Sequence, residues 1–371
     1  MSTKKVFFIL PELAIGGVEK NTLNFANYLS DHDYKIGIVY QRISDNIFKS
    51  KFKRNIQLIQ IKDWKLRKQI FEYIRIINTE KPNIIINSMI FVHFVLICAK
   101  YLAKSNVKIY LKIETNIKQD INKRNKLIEK ICFKLLGKKF IQISDGVICS
   151  SKEIFIDFKN RYFLNSPEKV FLNYNPVIKS SDIPSFNSKP NHPFYKNKNN
   201  VLISIGRLTP EKGFLELLTL YNGLIKKFHL KNCKLIIIGE GEYYEKITNF
   251  ISENSLENFV DVVRFNDDFE KFLYFSDTFV CNSKYEGFNN NIVHALNMGI
   301  YVISKDCDFG PREILIDENY GCLAKSDDEF EALLLKRLSQ KNVFNEYGFK
   351  RSLDFLISKS ANNLKEIINS P

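Results

Sequence analysis

The strongest constraint on this chain is a pattern that occurs twice. Short apolar runs alternate with amphipathic stretches at helical spacing, and a proline-rich break separates the two series. In the first series the runs are Val6–Leu10, Lys35–Tyr40, Ile56–Ile61, Asn83–Asn87, Val107–Ile113, Gly146–Cys149 and Val170–Asn173. Helical patterns span Val18–Leu29, Trp64–Thr79, Phe91–Ala103, Ile121–Phe140 and Lys152–Asn160. Between Asn175 and Asn200, Pro176, Pro184, Pro190 and Pro193 block regular structure. The second series has runs at Val201–Ile205, Lys234–Ile238, Val260–Arg264, Thr278–Cys281, Tyr301–Ser304 and Gly321–Ala324. Its helical patterns are Phe214–Lys227, Glu242–Asn254, Asn291–Asn297, Asp327–Ser339 and much of 342–368. Such alternation builds parallel sheets covered by helices on both faces, with ligands at the carboxyl ends of the strands. The expected fold is therefore α/β with two domains and a cleft between them. The boundaries read as a first domain at 1–178, a linker at 179–200, a second domain at 201–340, and C-terminal helices at 341–371 packing back on the first domain.

Length and composition agree with this. The 371 residues suffice for two ordinary α/β domains, and 45% hydrophobic with 26% charged residues describes a folded chain rather than a disordered one. No stretch approaches the roughly 20 apolar residues of a membrane span. The N-terminal run reads as a first strand, not a signal peptide. Seven scattered cysteines without a C-x-x-C argue for a reducing compartment and against a disulfide framework or zinc site. A cytoplasmic location follows as the expectation.

Charge is unevenly divided. Residues 1–200 carry 35 Lys and Arg against 16 Asp and Glu, whereas residues 201–371 carry 20 against 25. The basic half calls for an anionic partner: lipid headgroups, nucleic acid or a phosphorylated acceptor. From Lys118 to Lys139, eight cations (Lys118, Lys123, Arg124, Lys126, Lys130, Lys134, Lys138, Lys139) interleave with Ile121, Leu127, Ile128, Ile131, Phe133 and Leu135. Trp64 to Ile77 adds the only Trp with Lys65, Arg67 and Lys68. Each stripe taken singly can equally bury its apolar side in a domain core. Together with the surplus charge they favour attachment to an anionic membrane surface.

The densest chemistry lies in Ser283-Lys284-Tyr285-Glu286-Gly287-Phe288-Asn289-Asn290-Asn291-Ile292-Val293-His294. A loop with one carboxylate runs here into a helix start, where free backbone N–H groups and a partial positive charge suit a phosphate. Glu286 beside it can accept hydrogen bonds from sugar hydroxyls, so the segment points to a phosphorylated sugar. Gly206-Arg207 closes a strand and Lys212 lies in the following turn, so both cations can face a diphosphate as charge develops on a leaving nucleotide. Gly16-Gly17, between strand and helix, lets backbone amides approach a phosphate, although a tight turn alone also uses such a pair.

With these motifs goes an ordered set: Asp145-Gly146-Val147-Ile148, Ser150-Ser151-Lys152-Glu153, Asn173-Tyr174-Asn175-Pro176-Val177, Ile238-Gly239-Glu240-Gly241 and Gly310-Pro311-Arg312-Glu313-Ile314. In this order the chain resembles the retaining GT-B glycosyltransferases of the glycosyl transferases group 1 family (family 4), most closely from Val201 to Ala324. The resemblance implies GT-B architecture, two Rossmann-like domains facing each other across a cleft. It implies transfer of a sugar from a nucleotide-diphosphate donor to a lipid-linked, lipopolysaccharide or capsule-type glycan.

On the same resemblance Glu286 meets the transferred sugar, and Arg207 and Lys212 hold the diphosphate. Gly16, Gly17, Gly206, Gly239, Gly241, Gly287, Phe288, Asn289, Asn290, Gly310, Pro311 and Glu313 surround the donor, and Arg264-Phe265 lies near the base. Two positions depart from the family pattern. His294 stands where a second glutamate holds the ribose, and an imidazole offers one donor or acceptor per nitrogen. Glu114-Thr115-Asn116 stands where a Glu-His-Asn-like triplet is common, which makes those three the first-domain, acceptor-side candidates. The first domain generally meets the acceptor, which places a lipid-linked acceptor at the inner face of the cytoplasmic membrane. No obligatory catalytic base is assigned.

Asp31-His32-Asp33 and Asp306-Cys307-Asp308 match the bare Asp-x-Asp pattern of metal-using transferases, yet the five histidines show no ligand spacing. Neither metal nor cofactor is expected. A nucleotide-sugar epimerase of the same shape is the alternative chemistry. A nucleic-acid-binding protein is a remoter one that leaves the second-half motifs unexplained.

Overall fold

The computed structural model describes residues 3–63, 65–115, 121, 131, 133–196, 199–266, 268–316, 318–340 and 343–370. The chain divides into two compact units: Met1–Val177 with Ile357–Pro371, and Ile178–Leu356. The segment 179–200, expected as a linker, therefore counts within the second unit. Tyr195 in it is buried, its hydroxyl 3.0 Å from the Phe272 carbonyl and 2.9 Å from Ser276 Oγ. His192 Nε2 lies 2.8 Å from Asp261 Oδ2.

In the first unit seven parallel strands are ordered β3-β2-β1-β4-β5-β6-β7. They are β1 (Lys4–Leu13), β2 (Tyr34–Ile43), β3 (Gln57–Gln60), β4 (Ile84–Asn87), β5 (Lys108–Ile113), β6 (Gly146–Cys149) and β7 (Val170–Leu172). The period of two along β1 sends Val6, Phe8 and Leu10 into one core and Phe7 and Ile9 into the other. A strand buried on both faces reads as a continuous apolar run, which is why these strands were legible. Helices α1 (Gly17–Ser30), α2 (Leu66–Glu80), α3 (Ile90–Leu102) and α4 (Lys152–Tyr162) return the chain between strands. The terminal helix Ile357–Asn369 places Ala361, Leu364, Ile367 and Ile368 in the core cluster of Val6 and Phe8. Strand β1 runs three residues past its expected end. It pairs with β2 as far as Leu13, and Pro11 is accommodated because β4 stops opposite Ile9.

The helix expected over Ile121–Phe140 lies largely outside the described residues. Its described end is a π-helical turn, Phe133–Gly137, followed by Lys138–Gln142. Trp64 also lies outside them.

The second unit holds six parallel strands in the order β10-β9-β8-β11-β12-β13. They are β8 (Asn200–Ile205), β9 (Cys233–Ile238), β10 (Val260–Val263), β11 (Thr278–Cys281), β12 (Tyr301–Lys305) and β13 (Gly321–Ala324). Between them run α5 (Phe214–Phe228), α6 (Tyr244–Glu253), α7 (Phe269–Tyr274), α8 (Asn290–Asn297) and, after β13, α9 (Asp327–Leu338). Each unit winds outward from one strand and then crosses back. Chain order reverses between β1 and β4 in the first unit and between β8 and β11 in the second. In such sheets the crevice outside the carboxyl ends of the strands at this reversal is the usual ligand position.

Candidate active site

In the second unit the two loops at the reversal are fastened together. Asn282, just past β11, donates from its side chain to the Gly213 carbonyl at 3.1 Å, and the Lys284 amide donates to the Glu211 carbonyl at 2.8 Å. The β8 loop turns through Pro210–Lys212 as one 3-10 turn and ends on Gly213, whose φ of +67° favours glycine.

This places Lys212 Nζ 2.6 Å from Glu286 Oε1 and 2.8 Å from Oε2. Glu286 is 7% exposed and has two further donors, Ser283 Oγ at 2.7 Å and Asn289 Nδ2 at 3.0 Å. A carboxylate this deep needs such partners, because an unpaired buried charge is costly. Asn289 serves twice. Its Oδ1 caps α8 by accepting from the Asn291 and Ile292 amides, while its Nδ2 holds Glu286. Asn291 ties the same helix start to β8 through the Ile205 carbonyl at 2.9 Å. The buried thiols of Cys281 and Cys307 border this network, and burial pushes both up from the ordinary cysteine range.

A third loop supports Glu286 from behind. Its amide donates to the Asp308 carbonyl at 3.2 Å. Arg312 grips Asp306 through both oxygens, at 2.5 and 3.3 Å. The Asp306 and Asp308 of the Asp-x-Asp triplet thus serve an ion pair and a backbone bond, and Asp31 of the other triplet pairs with Lys53. Gly310, at φ +79°, packs where a Cβ would meet Phe288 Cα at 3.2 Å and the Asn289 nitrogen at 3.3 Å. Pro311 and Glu313 are buried in the short helix that follows.

The expected site residues are distributed as follows. Lys212, Glu286, Gly287, Asn289, Asn290 and Gly310 gather at the reversal. Arg207 leaves β8 beside them and is exposed. A Cβ on Gly239 would lie 2.0 Å from the Gly206 carbonyl oxygen, and one on Gly241 would lie 2.5 Å from that of Leu208. Those glycines join the β8 and β9 loops. Phe288 packs edge-on to Phe355 at 5.2 Å, in the core of its unit. His294, one turn into α8, meets Phe269 edge-on at 5.0 Å, and Phe269 touches Phe265 at 5.3 Å. His294 Nδ1 sits 3.3 Å from Glu270 Oε1 without hydrogen-bond alignment. Asn282 was not singled out from sequence and Ser283 only as the start of its segment, yet both fix the pair.

In the first unit Gly16 precedes α1 in extended conformation and Gly17 opens the helix, with nothing within 4 Å of a Cβ there. The Glu19 carboxylate folds back to within 2.1 Å of where a Gly16 Cβ would lie. Glu114 follows β5 with its side chain buried, and Thr115 is exposed. Asn116 lies outside the described residues. Among them no helix is long and apolar enough to cross a membrane.

A sheet reversal in each of two Rossmann-like units, with the second presenting a cation–carboxylate pair beside a helix start, is GT-B architecture. Comparison with known proteins makes it specific. Residues 186–351 match the family model "Glycosyl transferases group 1". The amylovoran biosynthesis glycosyltransferase AmsD of Erwinia amylovora is 24% identical, covering 94% of this chain and 95% of that protein. A Campylobacter jejuni N-acetylgalactosaminyltransferase acting on a diacetylbacillosaminyl-diphospho-undecaprenol is 27% identical over 56% of this chain and 53% of its own. The solved structure of Anabaena HepE with UDP and glucose superposes with a TM-score of 0.77 at 15% identity, covering 99% of this chain and 100% of that one. The protein is a glycosyltransferase of GT-B fold whose second unit matches the group 1 family.

Proposed function

We propose that the protein is a retaining glycosyltransferase that moves a sugar from a UDP- or GDP-linked donor to a lipid-linked or lipopolysaccharide/capsule-type glycan. The observation that carries this is the Lys212–Glu286 pair, fixed at the strand reversal of the second unit beside the start of α8. In the reaction the bond from the sugar's anomeric carbon to the diphosphate oxygen breaks, and the acceptor hydroxyl adds to the same face. Its proton leaves with the departing diphosphate. Negative charge grows on that diphosphate. Lys212, Arg207 and the partial positive charge at the α8 start are the groups suited to stabilising it, most strongly where water is excluded. Glu286, held by three side chains, accepts hydroxyls of the transferred sugar and sets its orientation. The charge is met by these cations in this reading, so no metal or cofactor enters.

AmsD is named for amylovoran biosynthesis and the Campylobacter relative for a diphospho-undecaprenol substrate, which supports a glycan or lipid-linked acceptor here. Both are named as transferases, which favours transfer over epimerisation. Glu114 and Thr115 are the acceptor-side candidates of the first unit, and His294 is the candidate for the nucleotide ribose. Attachment to the inner face of the cytoplasmic membrane falls to the basic first half. There Ile131, Leu135 and Leu136 are exposed beside exposed Lys134, Lys138 and Lys139.

The test is turnover of a panel of UDP- and GDP-sugars, with the anomeric configuration of the product read by NMR. Glu286→Ala is expected to bind nucleotide and fail in transfer. Undiminished turnover by that variant, or an inverted product, overturns the reading.

A further inference from the structure

The first unit buries a second ion pair at its own strand reversal. Lys112, the penultimate residue of β5, is 4% exposed, and its Nζ lies 2.5 Å from Glu114 Oε1 and 2.9 Å from Asn175 Oδ1. Its ammonium also sits 5.6 Å from the centre of the Phe25 ring. Glu114 Oε2 accepts from Asn21 Nδ2 at 2.6 Å, and Oε1 accepts more distantly from Ser88 Oγ at 3.4 Å.

These partners come from both sides of the reversal. Asn21 lies in the helix that follows β1, and Ser88 directly follows β4. Asn175 follows β7 and is held from the terminal helix by Ser360 Oγ, 3.3 Å from its carbonyl. A lysine removed from water gains nothing in the fold unless it balances a charge that is itself needed there, since an apolar pair of similar volume is generally as stable or more so. Burial pulls Lys112 below the ordinary lysine range, and the Glu114 charge pulls it back.

An ionised carboxylate offers about four acceptor sites. Among the described residues three donors occupy Glu114, two of them on Oε1, which leaves Oε2 one site beyond the Asn21 bond.

We infer that Lys112 is a positioning residue that orients the Glu114 side chain over the β1/β4 crevice, where the remaining site on Oε2 accepts a hydrogen bond from a sugar hydroxyl. This rests on the glycosyl-transfer reading above and deepens it. The hydroxyl belongs either to the donor sugar or to the acceptor, and Glu114 is the group that touches it. Asn21 and Ser88 fix the carboxylate from the two flanks, and Asn175 fixes the lysine.

The experiment uses UDP-glucose, UDP-galactose, UDP-N-acetylglucosamine and GDP-mannose, each without acceptor (donor hydrolysis) and with an octyl glycoside acceptor. Glu114→Gln and Lys112→Met are each expected to lower kcat/KM about 10- to 100-fold, the loss for one hydrogen bond to a charged group. Loss in both assays assigns the hydroxyl to the donor sugar, and loss in transfer alone assigns it to the acceptor. Lys112→Met strands a buried carboxylate, so Lys112→Met/Glu114→Gln, which removes both charges, is the folded control. If Lys112 acts through Glu114, the double variant is no slower than Glu114→Gln alone. Further slowing in that background, or either single variant matching the wild type, overturns the inference while leaving glycosyl transfer intact. A wild type inert on all four donors removes the donor reading, and this inference with it.

Discussion

The backbone of Gly213 runs against that of Asn282 so closely that a Cβ on Gly213 would lie 2.1 Å from the Asn282 carbonyl oxygen. The contact sets where Lys212 points, because the lysine closes the turn and directly precedes Gly213. Two demands fall on the one residue, a left-handed backbone at φ +67° and no side chain. Gly213→Ala is expected to cost about 1–3 kcal/mol through strain and displacement. Turnover falls with it as Lys212 leaves Glu286. Gly223, inside α5 with nothing within 4 Å of its Cβ, is the control, and Gly223→Ala is expected to stabilise by ~1 kcal/mol. Thermal unfolding of the two variants should move Tm in opposite directions, and a shared direction contradicts the argument.

Lys212 and Glu286 are worth most as a pair. Lys212→Met leaves a carboxylate that is 7% exposed without its counter-charge, at a cost of about 1–3 kcal/mol. Lys212→Met/Glu286→Gln removes both charges and is expected to recover most of that stability. It should recover no activity, since each charge has its own task toward sugar or diphosphate. Denaturant unfolding and donor turnover, measured on the same three proteins, separate the effects. Recovery of turnover in the double variant would show that the pair is only structural.

The architecture was legible in the sequence because parallel strands covered on both faces are continuous apolar runs. Every one of the thirteen expected strands is present. Lys212 and Glu286 were each singled out in the loop after a strand, though not as partners. What spacing could not convey was contact between loops. Gly239 and Gly241 look like room left for a ligand, yet their missing side chains are filled by the β8 loop backbone. Phe288 reads as a site residue from its neighbours, but its ring is held by Phe355, far along the chain. Lys112 sits in a strand pattern where alternation assigns no charge, and its burial depends on Asn175 and Phe25, which no local window contains.

His93 links stability to pH. It is fully buried at the start of α3, and its Nδ1 lies 3.1 Å from Asn87 Nδ2, so Nδ1 accepts and the proton resides on Nε2. Burial pushes it down to about 3, opposed by the backbone of Phe140, which is not placed to hydrogen-bond Nε2. An unfolded histidine titrates near ~6.5, so between there and about 3 the unfolded chain binds a proton that the native state refuses. The stability owed to neutral His93 is present above the upper value and lost as pH falls toward the lower. The slope approaches ~1.4 kcal/mol per pH unit. Urea unfolding from pH 7 to 4 should show a shallower acid loss for His93→Leu than for the wild type. Equal slopes would remove His93 as the cause.

The exposed cluster of Ile131, Leu135 and Leu136 with Lys134, Lys138 and Lys139 bears on membrane attachment. Vesicles of phosphatidylcholine with phosphatidylglycerol should sediment the protein, and pure phosphatidylcholine vesicles should do so far less. Lys138→Glu with Lys139→Glu is expected to weaken binding by more than ~2 kcal/mol, from about 1 kcal/mol per cation lost plus repulsion. Raising salt should release the wild type. Sedimentation that ignores lipid charge and both substitutions would rule this surface out.

Asn289 offers the sharpest separation of stability from chemistry, because its two ends do different things. Its Oδ1 caps α8 and its Nδ2 holds Glu286 at 3.0 Å. Asn289→Ala loses both, and the missing cap alone costs about 0.5–2 kcal/mol. Asn289→Asp keeps a capping oxygen and a negative charge at a helix start, both favourable to α8. It replaces the donor facing Glu286 with a second carboxylate, which repels it. The Asp variant is therefore expected to melt closer to the wild type than the Ala variant while turning over donor no faster. Tm and kcat on the two proteins decide the matter. If Asn289→Asp retains wild-type kcat, the orientation of Glu286 does not depend on this amide, and its hold rests on Lys212 and Ser283.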